Sequence, residues 1–352
     1  QNFKVIKAPH QNLLDLKTVI SSKKNTIIGI PLLLKDWLIW TEKENAAYKI
    51  FVKNIKKNLT KELDFFKNDV KQVSCSYYEK NMKSDLIYLS YSTPISTHKT
   101  LLYNLKTGKY KLVKEQIIPS GYDEKKYILE RSFVPSHDNK KIPITIIRHK
   151  NTKVNSKAKV LLYGYGSYGS SLGNGFSVNK IPLLDRGIIW VNAHIRGGME
   201  CGMNWWKEGK MLNKKNTFED YLSCARFLIK NKYTKSGRII GMGGSAGGLL
   251  MGSVLNKAPQ LFLGAILAVP FVDSLTTNLD HSLPLTVGEF KEFGNAKKYK
   301  KHFEYIKSYA PYHNIKKQRY PHLLITTSLF DNRVLFDEPT KYVAKLRDYK
   351  KD

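Results

Sequence analysis

With 352 residues, 42% of them hydrophobic and 12% aromatic, the chain has the composition of a folded protein of two or three domains, which excludes a disordered or fibrous one. Its net charge of +30 comes mostly from lysines in scattered runs such as Lys53–Lys57, Lys297–Lys301 and Lys350-Lys351; arginine, the residue suited to bidentate phosphate and base recognition, is scarce, so nucleic acid is not expected as a partner. The longest apolar stretch, Ile27 to Trp40, is broken by Pro31, Lys35 and Asp36 and is too short to span a bilayer, so no membrane partner is expected either.

Residues 1–122 read as short strands, among them Phe3–Ile6, Trp37–Thr41, Tyr48–Val52, Leu86–Tyr91 and Thr100–Asn104, with a turn at Lys106-Thr107-Gly108-Lys109. Small antiparallel sheets of some 40–50 residues are the pattern of propeller blades, and this stretch has room for two or three of them. Near Pro119-Ser120-Gly121 the pattern changes. Leu129–Val134 and Ile142–Ile147 are followed by the nearly uninterrupted apolar runs Lys159–Tyr163, Ile188–Ala193 and Ala265–Val269. Continuous apolar strands alternating with helices predict a parallel sheet covered on both faces. From Thr217 a helix is expected to place Phe218, Tyr221, Leu222, Ala225, Leu228 and Ile229 on one stripe, with Thr217 and Asp220 as its N-terminal cap. Tyr320 to Thr327 adds a strand and Glu338 to Leu346 a helix. Residues 123–352 are therefore an α/β domain.

Within it, Gly243-Gly244-Ser245-Ala246-Gly247 lies between the apolar Ile239-Ile240 and a helix-like run from Leu249. Strand, glycine-rich turn and helix is the context of a nucleophile elbow, in which the serine hydroxyl is exposed beside free backbone N–H groups. Gly243 and Gly247 frame the serine, and Gly244 and Gly248 keep the approaches bare. The competing reading is a glycine-rich turn with an incidental serine. A serine nucleophile needs an acid and a base, in the chain order Ser, Asp or Glu, His. Asp331 lies on the loop beyond Leu323–Thr327, and Asp337 is its rival; none of the nine histidines follows Asp331. The turn Gly164-Tyr165-Gly166-Ser167-Tyr168-Gly169 follows an earlier strand, where an oxyanion donor belongs, and the Tyr165 phenol is suited to that role opposite the N–H of Ala246. The same turn matches G-x-G-x-x-G, but Ser170 to Ser177 reads as loop and Asp185 precedes the next strand, which argues against a dinucleotide site. Cys75, Cys201 and Cys224 have no metal-ligand spacing and fit a reducing compartment.

These segments resemble the prolyl oligopeptidase family of serine peptidases, specifically its oligopeptidase B branch. The resemblance rests on Leu162 to Gly169, Leu183-Leu184-Asp185-Arg186-Gly187, His194-Ile195-Arg196-Gly197-Gly198, Asn216 to Tyr221, Met242 to Gly248, Pro284 to Phe290, Tyr309-Ala310-Pro311-Tyr312 and Tyr342 to Leu346. It implies an α/β-hydrolase domain at 123–352, lacking its C-terminal end, after the last blades of a β-propeller at 1–122. It implies Ser245 as nucleophile, Asp331 as triad acid, and Tyr165 with the Ala246 N–H as oxyanion hole. Glu289, Phe290, Arg333 and Tyr168 become substrate-binding residues. No cofactor or metal is implied. The expected substrates are short peptides, cut after Arg or Lys, in the cytoplasm. Three departures bear on this. The family's histidine has no counterpart, Lys291 stands where a second glutamate is expected, and the acidic pair after the tyrosine turn is Gly173 and Gly175. The expectation is thus a serine oligopeptidase, inactive as this chain; its rivals are a catalytically dead peptide- or protein-binding relative and a general esterase.

Overall fold

The structure, a computed structural model, describes residues 2–64, 70–79 and 82–351, and the chain divides into two compact units. The first comprises Gln1–Leu129, Gly173–Ile181 and Met199–Asn204; the second comprises Glu130–Leu172, Pro182–Gly198 and Trp205–Asp352.

Besides a small hairpin of Val5–Lys7 with Lys17–Ile20, two larger antiparallel sheets build the first unit. One carries Thr26–Ile28, Trp37–Glu44, Ala47–Asn54 and Leu59–Glu62 in that order, with Leu32–Leu33 also on Trp37–Glu44; the other carries Gln72–Tyr77, Leu86–Ser92, Lys99–Asn104 and Tyr110–Glu115. Alternation along the strands turns Ile39, Ile50, Val52, Ile87, Leu89 and Leu101 inward, and these residues share one core. Glu44 pairs with Ala47, so Asn45 and Ala46 alone form the hairpin loop. Both have positive φ, +50° and +64°, as a type I′ turn requires of its two central residues.

The second unit holds a seven-stranded sheet. Its strands are β1 (Tyr127–Pro135), β2 (Lys141–His149), β3 (Val160–Tyr163), β4 (Ile189–Ala193), β5 (Ile239–Gly244), β6 (Phe262–Ala268) and β7 (His322–Thr326), in the order β1-β2-β4-β3-β5-β6-β7. The five strands from β4 to β7 run parallel, whereas β2 meets β4 antiparallel. Val160, Leu162, Ile189 and Val191 are wholly buried, because helices cover both faces of a parallel sheet. The strand order reverses between β3 and β5, the switch point at which open α/β sheets leave a crevice at the strands' carboxyl ends. β3 runs out into the tyrosine turn there, and β5 into Ser245.

Helix α1 (Lys215–Lys230) buries Phe218, Tyr221, Leu222, Ala225 and Leu228 as the apolar spacing predicts, while Ile229 stays half-exposed. The expected cap at Thr217 and Asp220 is not formed. Helix α1 begins two residues before Thr217, whose hydroxyl donates to the carbonyls of Arg196 and Gly209. Asp220 is fully buried against Arg196, taking Nε at 2.8 Å and Nη2 at 2.6 Å. Arg196 also reaches Asp138 and Ser136. A carboxylate with a bidentate guanidinium partner in the interior serves as a tie between segments, which outweighs any local capping role.

Candidate active site

Ser245 follows β5 directly and precedes helix α2 (Ala246–Lys257). Its backbone lies at φ +54°, ψ −120°, a conformation that costs an L-residue of order 1–3 kcal/mol and persists only where the surroundings impose it. They do so through hydrogen bonds. The Ser245 N–H donates to the Ala268 carbonyl at 2.9 Å, and the Ser245 carbonyl accepts from Gly248 at 2.8 Å and Phe271 at 3.0 Å. The four surrounding glycines are not equally required. A Cβ at Gly243 would collide with the Gly247 carbonyl, and one at Gly248 with Pro270. At Gly244 the nearest atom, the Ala268 carbonyl oxygen, would be 3.2 Å away. The elbow thus depends most on Gly243 and Gly248, because those two meet backbone and ring atoms that have nowhere to go.

Beyond β3, the Gly164 N–H donates to the Met242 carbonyl and ties the tyrosine turn to β5. Tyr165 and Ser245 line the same cavity. Burial raises the Tyr165 pKa, an effect the neighbouring Ser245 side chain opposes and Glu289 and Glu292 reinforce, so the phenol keeps its proton and remains a donor. Ala246 is the first residue of α2, so its N–H has no acceptor within the helix. Tyr168 sits at φ +59° and donates its phenol to Glu289 Oε1 at 2.9 Å.

A cavity of about 290 Å³ opens here. Its walls include Ser245, Tyr165, Tyr168, Glu289, Arg333 and Glu338, with Phe271, Leu283, Pro284 and Val334 as apolar surface. Glu289, on helix α4 (Thr286–Phe293), is raised by burial and by Glu292, while Tyr168 and Arg333 act to lower it. Glu338 was not a sequence candidate. It is the second residue of helix α5 (Asp337–Tyr349) and is almost fully buried. Its carboxylate accepts from Thr277 Oγ1 at 2.5 Å, on helix α3 (Ser274–Leu279), and from the Asp273 N–H at 2.9 Å. Burial pushes its pKa up to about 7 against those two hydrogen bonds. An acid in the first turn of a helix ordinarily signals only a favourable dipole contact, so no local pattern marks Glu338.

Two sequence candidates lie elsewhere. Phe290 packs edge-on against His281, ring centroids 5.1 Å apart, and is not part of the cavity wall. One residue is about 100° of turn on a helix, so Phe290 cannot share the direction of Glu289. Asp331 is also outside the wall; its Oδ1 accepts from the N–H groups of Arg333 at 2.9 Å and Val334 at 3.1 Å. It shapes the turn that carries Arg333 to the cavity. Lys291 is exposed, whereas Glu292 is buried beneath the tyrosine turn. Histidine ring nitrogens are engaged at other places: His194 with Thr145, His302 with the Asn295 N–H and His313 with Asp273.

Comparison with known proteins is consistent with this architecture. The model of the prolyl oligopeptidase family matches residues 174–352. Protease 2 of Moraxella lacunata is 36% identical over 351 residues, all of this chain and 50% of the relative. Dipeptidyl aminopeptidase BI of Pseudoxanthomonas mexicana is 45% identical over 262 residues, 74% of this chain and 36% of the relative. Oligopeptidase B from Trypanosoma brucei, solved with covalently bound antipain, superposes with a TM-score of 0.92 at 34% identity, covering 99% of this chain and 50% of that one. The chain therefore spans half the length, or less, of these relatives. A family model that takes in the elbow and α1 to α5, together with a relative aligned along the entire chain, establishes that this protein belongs to the prolyl oligopeptidase family.

Proposed function

We propose that this chain carries the acylation machinery of a serine oligopeptidase, with Ser245 as nucleophile and the Tyr165 phenol and Ala246 N–H as oxyanion donors. The observation that carries the reading is the strained Ser245 backbone at the sheet's switch point, with Tyr165 in the same cavity wall. Attack of Ser245 Oγ on a peptide carbonyl forms a tetrahedral oxyanion. Its collapse breaks the C–N bond and expels the amine half, which takes the proton given up by Ser245 Oγ. Water then cleaves the acyl ester, releasing the acyl half as a carboxylic acid and restoring the Ser245 hydroxyl. Asp331 is the acid proposed to orient a base. Among the described residues no histidine is in the cavity wall that holds Ser245; without a base beside it the serine keeps its ordinary weak nucleophilicity, and turnover by this chain is proposed to be slow.

The substrates proposed are short peptides in the cytoplasm. A cationic side chain entering the cavity meets Glu289 and Glu338, with Tyr168 and Arg333 beside them, which supports preference for Arg or Lys before the cut. The two larger antiparallel sheets of the first unit are proposed as propeller blades. No helix among the described residues is long and apolar enough to cross a membrane. A second reading, a relative that binds peptides without turnover, is favoured by the histidine placement alone. A serine-directed fluorophosphonate tests both. Slow labelling over hours that disappears in Ser245→Ala is expected; labelling indifferent to that substitution sinks the nucleophile, and labelling within seconds sinks the slow-turnover reading.

A further inference from the structure

Beneath the tyrosine turn lies a buried ion pair that takes no part in the chemistry proposed above. Lys214, immediately before α1, is 1% exposed, and Glu292, near the end of α4, is 3% exposed. Lys214 Nζ donates to the Gly166 carbonyl and to Ser167 Oγ, each at 2.6 Å, and stands 3.7 Å from Glu292 Oε1. Glu292 Oε1 accepts the Tyr168 N–H at 2.9 Å, and Oε2 accepts Trp206 Nε1 at 2.8 Å. The two charges therefore grip three consecutive residues of the turn. Those residues are hard to hold. Gly166 has φ +73° and Tyr168 φ +59°, and Tyr168, having a Cβ, has no intrinsic reason to stay left-handed. On the other side the Gly169 N–H donates to the Gly197 carbonyl at 2.8 Å, and Gly197 adjoins the anchored Arg196.

We infer that Lys214 and Glu292 are positioning residues, which lock the Gly166–Tyr168 backbone and thereby hold Tyr165 beside Ser245 in the cavity wall. The inference rests on the proposed roles of Ser245 and Tyr165. A buried ion pair is weak as a source of stability, since desolvation offsets much of the attraction. Its value here is directional. One ammonium donates to a carbonyl and a hydroxyl and faces a carboxylate, while the carboxylate holds two N–H groups from different segments. Burial draws the Lys214 pKa down to about 8, and Glu292 opposes the drop, so the carboxylate helps keep the ammonium charged. The Phe293 ring, 5.4 Å from Nζ, closes the remaining side.

The variants that test this are Glu292→Gln and Tyr165→Phe, alone and combined, in the whole chain. Two readouts are needed. In the first, amide hydrogen exchange of residues 164–169 is expected to accelerate by at least about tenfold in Glu292→Gln, while β5 and α1 exchange unchanged. In the second, each single variant is expected to slow fluorophosphonate labelling of Ser245 by about tenfold or more, as loss of an oxyanion donor does. The double variant should then be barely slower than the slower single, because both act through one phenol. Multiplying losses, or exchange that rises equally throughout the second unit, would overturn the positioning role in favour of plain structural support. Local exchange with no Ser245-dependent labelling of the unsubstituted chain overturns the nucleophile reading and the link to Tyr165, while upholding the anchoring of the turn. If Glu292→Gln does not fold, Lys214→Met/Glu292→Gln removes both charges together and gives the same readouts.

Discussion

Glu338→Gln isolates the effect of the buried carboxylate in the cavity wall. In the folded protein Glu338 titrates near 7 instead of near 4.5, with burial as the first cause. The Asp273 carboxylate adds to the rise; the Thr277 and Asp273 hydrogen bonds and Lys341, which pairs with Asp273 at 2.5 Å, oppose it. Because the folded pKa is raised, the folded state holds this proton more tightly than the unfolded chain. The resulting stability is fully present below about pH 4.5 and is lost as pH climbs through about 7. A displacement of that size corresponds to about 3 kcal/mol for a nearly fully buried group. Gln cannot ionise, yet it can still accept the Asp273 N–H and donate to Thr277 Oγ1, so its own cost should not vary with pH. Urea unfolding of both proteins, followed through the second unit between pH 4 and pH 8, measures the difference. Relative to the wild type, the variant should gain about 3 kcal/mol across that interval. A difference that stays flat with pH refutes the reasoning and puts the carboxylate in contact with more water than its burial implies.

Arg196→Met should destabilise the second unit by roughly 3–5 kcal/mol, because it leaves Asp220, fully buried, with an uncompensated charge; thermal melting checks this, and Arg196→Lys should lie between, keeping charge but losing the fork. Gly243→Ala should cost about 2 kcal/mol or more and distort the elbow, since the added methyl meets the Gly247 carbonyl; calorimetry together with loss of Ser245 labelling reads both effects.

Spacing and composition carried the local elements and the elbow a long way. The period-two strands of the first unit, the uninterrupted apolar strands β3 and β4, and the stripe of α1 follow from which side chains need burying, and burial repeats with the geometry of each element. Gly243-x-Ser245-x-Gly247 and the tyrosine turn were legible because few residues other than glycine fit such backbones. The Asn45-Ala46 hairpin was not, since alanine at φ +64° carries no turn signature and is imposed by strand pairing.

Assembly decided the rest. Thr217 and Asp220 have the spacing of a helix cap, and only the approach of Arg196 from another loop shows Asp220 to be an interior anchor. Phe290 neighbours Glu289 in sequence but faces His281, because a helix separates consecutive residues by about 100°. Glu292 and Glu338, both unremarkable acids on paper, acquire their roles from segments far along the chain: Lys214 and Tyr168 for one, Asp273 and Thr277 for the other. Local sequence determines what a residue does to its own backbone, and it did so for Ser245. Burial, partner charge and pKa are properties of the surroundings, and those exist only once the sheet has brought the ends of β3, β5 and β6 together with α4 and α5.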